Sequence, residues 1–246
     1  MKTLFSGRIL PYQRKKGLKL IEEFFHPKIV KGNGEVQIIG PMPFNKKPPF
    51  NLNRPTILVD GGENHNLKLS SRLFSIGDGD SLASNNPAIL DFKLNPDKDI
   101  SDLKAAYEKI QRDHKNFSQF LLLGFSGGDF AHQLCLFLDS LKFLTYATSP
   151  QYIQLLSCGS LEQRVIMLSQ NYDSPWNVHL KGEFSLINLL PTSSKHVIKI
   201  QGKVKYSGQY PLECLSGSQG LHNRATGSFE IENTFPVMLV LGPEIS

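Results

Sequence analysis

Cysteine is scarce in this 246-residue chain: three residues, Cys135, Cys158 and Cys214, widely spaced and odd in number. That usage excludes a disulfide framework and every clustered Cys or Cys/His metal motif. It fits a reducing compartment, and the expected location is the cytoplasm. Cys135 lies in an apolar run and is expected to be a small buried hydrophobe. The seven histidines form no H-x-x-x-H pair, which removes the helical zinc-hydrolase pattern. No apolar run is long enough to span a bilayer, so no membrane association is expected. The N-terminal Met1-Lys2-Thr3-Leu4-Phe5 is broken at once by Ser6, Gly7 and Arg8, which does not make a secretory leader.

Charge is also modest. The net charge is +5, and much of the excess is local, at Arg14, Lys15, Lys16 and Lys19 and then Lys28, Lys31, Lys46 and Lys47. These cations carry no interleaved aromatics and no binding motif. They read as a solvated N-terminal face rather than a nucleic-acid surface, and no nucleic-acid partner is expected.

What is present is a series of acidic clusters at the ends of apolar segments. Val59-Asp60-Gly61-Gly62-Glu63-Asn64 follows TILV, Ile76-Gly77-Asp78-Gly79-Asp80-Ser81 follows a short apolar run, and Asp97-Lys98-Asp99-Ile100-Ser101-Asp102 opens a helical pattern. Asp78 and Asp80, two apart, point the same way in an extended segment. Asp99 and Asp102, three apart, share a face in a helical first turn. Gathered carboxylates repel unless a cation neutralises them. The natural cation is Mg2+, which, held by few carboxylates, brings a phosphorylated substrate. The chemistry indicated is phosphoryl or pyrophosphoryl transfer from a nucleotide.

Residues 1–34 read as an N-terminal extension, with a short amphipathic helix over Leu18–Phe25. Strands are expected at Glu35–Gly40, Thr56–Val59, Leu73–Ile76 and Phe120–Leu123. Prolines 41, 43, 48, 49 and 55 forbid regular structure between the first two. Helices are expected at Ser101–Ile110, with Ser101 as N-cap, and at Ala131–Leu144, whose small polar face predicts deep burial. Strands alternating with helices predict a doubly wound, mainly parallel α/β domain over residues 35–148. Ligands of such sheets sit at the strand ends that carry the glycines and acids. Beyond Pro150 the pattern changes to short strand-like runs, at Arg164–Ser169, Trp176–Lys181, Phe184–Leu190, His196–Ile200, Leu212–Leu215, Ser228–Glu232 and Val237–Leu241. These predict a β-sandwich domain over 149–246.

One rival motif stands out. Gly124-Phe125-Ser126-Gly127-Gly128 matches the nucleophile elbow G-x-S-x-G between a strand and a helix. A hydrolase would pair Ser126 with His179, His196 or His222. The segment after Pro150 reads as β, not as the further βα units that carry the acid and histidine of that fold, and the acidic clusters would have no role. A glycine turn admitting a phosphate or a close helix is the simpler reading. Asp78-Gly79-Asp80 lacks the later ligands of a calcium loop.

In their order, these segments resemble the thiamine pyrophosphokinase family from about residue 35 onward. The resemblance rests on Asp60–Asn64, Gly77–Ser81, Asp97–Asp102, Gly124–His132 (GFSGGDFAH), Phe184-Ser185-Leu186, Gly202–Tyr206 and Gly220–Asn223. It implies an α/β catalytic domain with a β-sandwich, paired as a homodimer, that transfers pyrophosphate from ATP to thiamine. By the same resemblance Asp78, Asp80 and Asp102 would hold Mg2+ and the nucleotide phosphates, with Asp60 beside them. Gly61, Gly62, Asn64, Lys98, Ser101, Gly127, Gly128 and His132 would line the nucleotide pocket, and His222 and Asn223 would meet thiamine. The chain departs from the family at Ala131, where an acid is usual, at Asp129 in place of arginine, and at His222 in place of serine. Asp129, two residues from Ala131, is a candidate replacement for the lost acid. Two other functions fit the same residues: a nucleotide- or thiamine-binding protein without turnover, and a pyrophosphokinase for another hydroxymethyl heterocycle such as a pterin.

Overall fold

The structure, a computed structural model, describes residues 34–44, 51–83, 90–127, 129–156, 164–171, 173–216 and 222–244. The helix expected at Leu18–Phe25 lies outside them.

Six parallel strands form one half. They are β1 (Gly34–Ile39), β2 (Thr56–Val59), β3 (Arg72–Gly77), β4 (Phe92–Lys93), β5 (Phe117–Leu123) and β6 (Tyr152–Leu156), in the spatial order β4-β3-β2-β1-β5-β6. The TILV and FLLL runs are buried throughout, as a strand covered on both faces must be. The chain moves outward from β1 to β4, then returns to the other side of β1 as β5. The order therefore reverses between β1 and β5, the place where such sheets open a crevice.

Two helices cover one face. Helix α1 (Asp102–Asp113) is capped by Ser101, whose hydroxyl accepts from the Lys104 N–H at 3.0 Å. Helix α2 (Phe130–Thr145) is capped by Asp129. Both contribute to one core, in which Tyr107, Ile110, Leu141 and Leu144 meet Ile38, Ile57, Phe120 and Leu122. The opposite face, Ile39, Leu58, Leu121, Leu123 and Leu156, is covered by Phe44, Leu67 and Leu69 from irregular segments. Both described helices thus pack on one side, and among the described residues no helix covers the other. The proline-rich stretch after β1 supplies no helix among its described residues.

The expected deep burial of the second helix is also corrected. Phe130 is 82% exposed, and Ala131, His132 and Cys135 are exposed as well. Cys135 is a free, exposed thiol, not a buried hydrophobe. Its helix turns Leu136, Ser140, Leu141 and Leu144 inward, and Cys135 falls on the outer stripe.

The other half is antiparallel: β7 (Arg164–Leu168), β8 (Trp176–Ile187), β9 (Val197–Val204), β10 (Gly208–Pro211), β11 (Asn223–Asn233) and β12 (Val237–Glu244). It continues the same sheet, as β6-β7-β12-β8-β11-β9-β10, through the antiparallel pair β6–β7. It encloses a second core of Trp176, Phe184, Leu186, Ile198, Phe229, Ile231 and Leu239. The two expected runs at Trp176 and Phe184 are one strand, which runs through Gly182 (φ 154°). Leu212–Leu215 is not a strand but part of a 3-10 turn, Leu212–Ser216, whose two leucines are both buried. Strand β6 pairs with β5 beyond residue 148, so the parallel sheet extends past the boundary drawn from the sequence.

Candidate active site

The site begins where β2 ends. Asp60 adopts φ 48°, a left-handed conformation that few residues other than glycine tolerate, and is 5% exposed. It opens a 3-10 turn, Asp60–His65. The neighbouring glycines are there because backbone approaches backbone. A Cβ on Gly77 would lie 2.7 Å from the Asp60 Cα, and one on Gly62 would overlap the Ile39 carbonyl oxygen. Close packing of β2 and β3 ends therefore brings Asp60 against Gly77-Asp78-Gly79. The Gly79 N–H donates to Asp60 Oδ1 at 3.2 Å.

Asp60, Asp78 and Asp80 each offer a carboxylate oxygen within 4.8 Å of the others, which makes them a group able to hold a metal ion. Asp102, at the first turn of α1, joins them through Lys98. The Lys98 ammonium lies 2.6 Å from Asp78 Oδ2 and 3.1 Å from Asp102 Oδ1. The second contact is an ion pair, and the Lys98 charge is what accompanies the buried Asp102 Oδ1. The hydrogen bond from Lys98 holds the Asp78 carboxyl below its ordinary range against the opposing effect of burial. Burial pushes Asp102 above its ordinary range, and the charges of Asp78 and Asp60 add to this against the pull of Lys98. Burial works against the Lys98 charge, but its two carboxylate partners more than offset it and raise its pKa. The site thus gathers four carboxylates, two of them paired with Lys98. All are hard oxygen donors, and the excess negative charge suits a divalent cation such as magnesium.

The other residues expected at the site have defined positions. Asn64 clamps the Asp80 loop: its Nδ2 donates to Ser81 O at 2.7 Å, and its Oδ1 accepts from the Ala83 N–H at 2.9 Å. Gly61 abuts Pro41 and Ser81. Ser101, besides capping α1, donates to Asp139 Oδ2 at 2.6 Å. Gly127 (φ 121°) is exposed, and its carbonyl accepts from Gln133 Nε2 at 2.6 Å. Gly128 lies outside the described residues. The His132 N–H donates to Asp129 Oδ1 at 2.8 Å, so the Asp129 carboxylate is engaged as a helix cap. No acid stands in the first turn of α2.

His222 and Asn223 sit in the antiparallel half, with β11 seven strands along the sheet from β2. His222 is exposed, its Nε2 3.4 Å from Glu183 Oε2. Asn223 is buried, and its side chain grips the Tyr206 peptide from both sides. Its Nδ2 donates to Tyr206 O at 2.9 Å, and its Oδ1 accepts from the Tyr206 N–H at 3.0 Å. Tyr206 is 50% exposed, with Lys205 Nζ 4.8 Å from its ring centroid. Tyr206 closes the Gly202–Tyr206 segment on which the resemblance rests. The histidines proposed for a hydrolase are elsewhere. His179 Nδ1 shares a hydrogen bond with Ser228, and His196 packs on Phe235.

No protein-family profile matches this sequence, and no curated protein matches it. Solved structures do. A thiamin pyrophosphokinase from Geobacillus thermodenitrificans superposes with a TM-score of 0.61 at 18% identity, covering 86% of this chain and 98% of that one. The thiamine pyrophosphokinase from Bacillus subtilis gives 0.59 at 16% identity, covering 86% and 100%. The yeast thiamin pyrophosphokinase gives 0.54 at 13% identity, covering 90% and 89%. Mostly sheet with few helices, and carrying its carboxylates at the ends of adjacent parallel strands, this chain has the fold of the thiamine pyrophosphokinases.

Proposed function

We propose that the chain is a divergent thiamine pyrophosphokinase, transferring the pyrophosphoryl group of ATP to the hydroxyl of thiamine and releasing AMP. The observation that carries the reading is the convergence of Asp60, Asp78 and Asp80 within 4.8 Å, on the fold of those enzymes. In this reading these three residues hold magnesium, with Asp102 behind Lys98. Magnesium, when bound, would neutralise phosphate charge as it builds in transfer. Lys98 is placed to follow the phosphates as a second positive charge. The thiamine oxygen attacks the β-phosphorus as the bond from that phosphorus to the bridging oxygen of AMP breaks. The hydroxyl proton passes to a carboxylate of the cluster. Gly127 and the first N–H groups of α2 would meet phosphate oxygens. Tyr206, with His222 beside Asn223, offers an exposed aromatic face to the acceptor heterocycle. Those residues lie far along the sheet from the carboxylates, which fits a homodimer in which one copy meets the other. The reading carries a cytoplasmic location with it, and no helix among the described residues is long and apolar enough to cross a membrane.

A second reading, a protein that binds nucleotide or thiamine without turnover, is favoured by one feature: Ala131 leaves the first turn of α2 without an acid, and Asp129 is spent as a cap. AMP release from ATP and magnesium, with and without thiamine, separates the two. Thiamine-dependent AMP supports the kinase. Binding of either ligand with no AMP supports the second reading, or a different acceptor such as a pterin.

A further inference from the structure

We propose that Arg72 is a positioning residue for the cation site, setting the place of Asp80 relative to Asp60 through a frame built of Glu63, Asp91 and Asn64. The inference rests on the reading of Asp60, Asp78 and Asp80 as the cation ligands. Its basis is a network that this reading does not use.

Asp60 and Asp80 lie on different segments, the 3-10 turn after β2 and the loop that leaves β3. The turn also carries Asn64, which reaches across to that loop, and Glu63, which reaches Arg72 at the start of β3. Asn64 holds its near end, at Ser81 and Ala83. Glu63 holds the start of β3 through Arg72, whose NH2 nitrogen lies 2.8 Å from Glu63 Oε1 and 3.0 Å from Asp91 Oδ2. The same nitrogen donates to Ser75 Oγ at 2.9 Å. Asp91 in turn accepts from the Ser75 N–H at 2.7 Å, and its own N–H donates to Ser75 Oγ at 3.0 Å. Residues 81–83, next to Asp80, and strand β3, which leads to Asp78, are therefore both tied to the element bearing Asp60. Glu63 is buried, and its Oε1 has no hydrogen-bond partner, so the Arg72 charge is what accompanies it. A buried carboxylate next to a cation site, neutralised by an arginine that also grips the neighbouring loop, does more than close a sheet edge. It makes the separation of two ligands depend on one guanidinium.

The sign of the effect gives the test. Arg72 is a positive charge near the site, so deleting it should tighten cation binding if only electrostatics matter. If it positions the ligands, binding should weaken, since supporting groups outside the ligand shell are worth about tenfold or more in metal affinity. The probe is Mn2+, titrated into the full-length protein and followed by electron paramagnetic resonance, with no nucleotide present. Arg72→Met is expected to weaken Mn2+ binding about tenfold or more. The Glu63→Gln/Arg72→Met double variant leaves no bare buried carboxylate; with its fold checked by circular dichroism, it is expected to remain weak. Lys109→Met is the control: Lys109 covers Phe92 at 3.7 Å and steadies the same sheet edge without touching the frame. Its binding should match the parent. Unchanged or tighter binding in both Arg72 variants overturns the inference, as does equal weakening by Lys109→Met. Parent protein that binds no Mn2+ overturns the cation-site reading itself, and the inference with it.

Discussion

The Cα of Asp60 and the position a Gly77 Cβ would occupy are 2.7 Å apart. The strand ends of β2 and β3 are pressed together until no side chain fits between them, and this contact turns two sequence-distant acids into neighbours. Asp60→Asn should therefore separate function from stability. Asparagine tolerates the left-handed backbone, and the variant loses one of several repelling charges. Turnover should fall roughly 100-fold or more. The melting temperature measured in chelator should be unchanged or higher. Lower stability with retained turnover would contradict the assigned role.

Gly62→Ala tests the packing directly. The new methyl would overlap the Ile39 carbonyl oxygen, which cannot move without parting β1 from its neighbours. A loss of about 3 kcal/mol in denaturant unfolding is expected, the upper end for an overpacked site. A loss below about 0.5 kcal/mol, the scale of a neutral surface change, would mean that the strands are not this close.

His65 makes the acid side of the stability profile readable. Its Nε2–H donates to Gly40 O at 3.0 Å, its ring stacks on Phe44 at 4.1 Å, and burial holds its pKa below the ordinary 6.5. The unfolded chain thus takes up the proton first. The linkage contributes nothing to the slope well above pH 6.5; stability falls as pH drops below it, and levels off once the lower folded-state pKa is passed. His65→Gln should lose less stability than the parent between pH 7 and pH 5, by urea unfolding at each pH. Parallel curves would sink the assignment.

Asn223→Ala removes both hydrogen bonds that hold the Tyr206 peptide. The cost should be about 2 kcal/mol, that of leaving buried partners unpaired. If Tyr206 meets the acceptor, KM for thiamine should rise in this variant and in Tyr206→Ala while KM for ATP stays put. Equal shifts in both constants would speak against a role confined to the acceptor.

Ser126→Ala should leave turnover within twofold of the parent. The elbow-like motif sits between a strand and a helix as a hydrolase would require, but the chain then continues into antiparallel β structure, and His179 and His196 are engaged within it. Ester hydrolysis abolished by this change would revive the rejected reading.

Much of the site was legible because its chemistry is local. The acids follow TILV and the β3 run, and a buried strand ending in glycine and aspartate carries its own signal. Ser101 was legible as a helix cap, but its bond to Asp139, 38 residues away, was not. The convergence of Asp60 with Asp78 and Asp80 depends on the neighbour order of β2 and β3, which no spacing encodes. Leu212 and Leu215 read as strand because a short apolar run has no resolvable period; both are buried from one face of a single turn. Cys135 misled for a related reason. A helix apolar on most sides does not declare which stripe faces out.

The shared sheet has a consequence for how this chain can be divided. Along β7, Val165 and Met167 face the helix-covered core while Ile166 and Leu168 face the other. Along β12, Met238 and Val240 alternate in the same way with Val237, Leu239 and Leu241. These strands are party walls: neither room can be demolished without opening the other. Heating should therefore produce one calorimetric transition rather than two, and a chain cut between its halves should yield no fragment that stands alone.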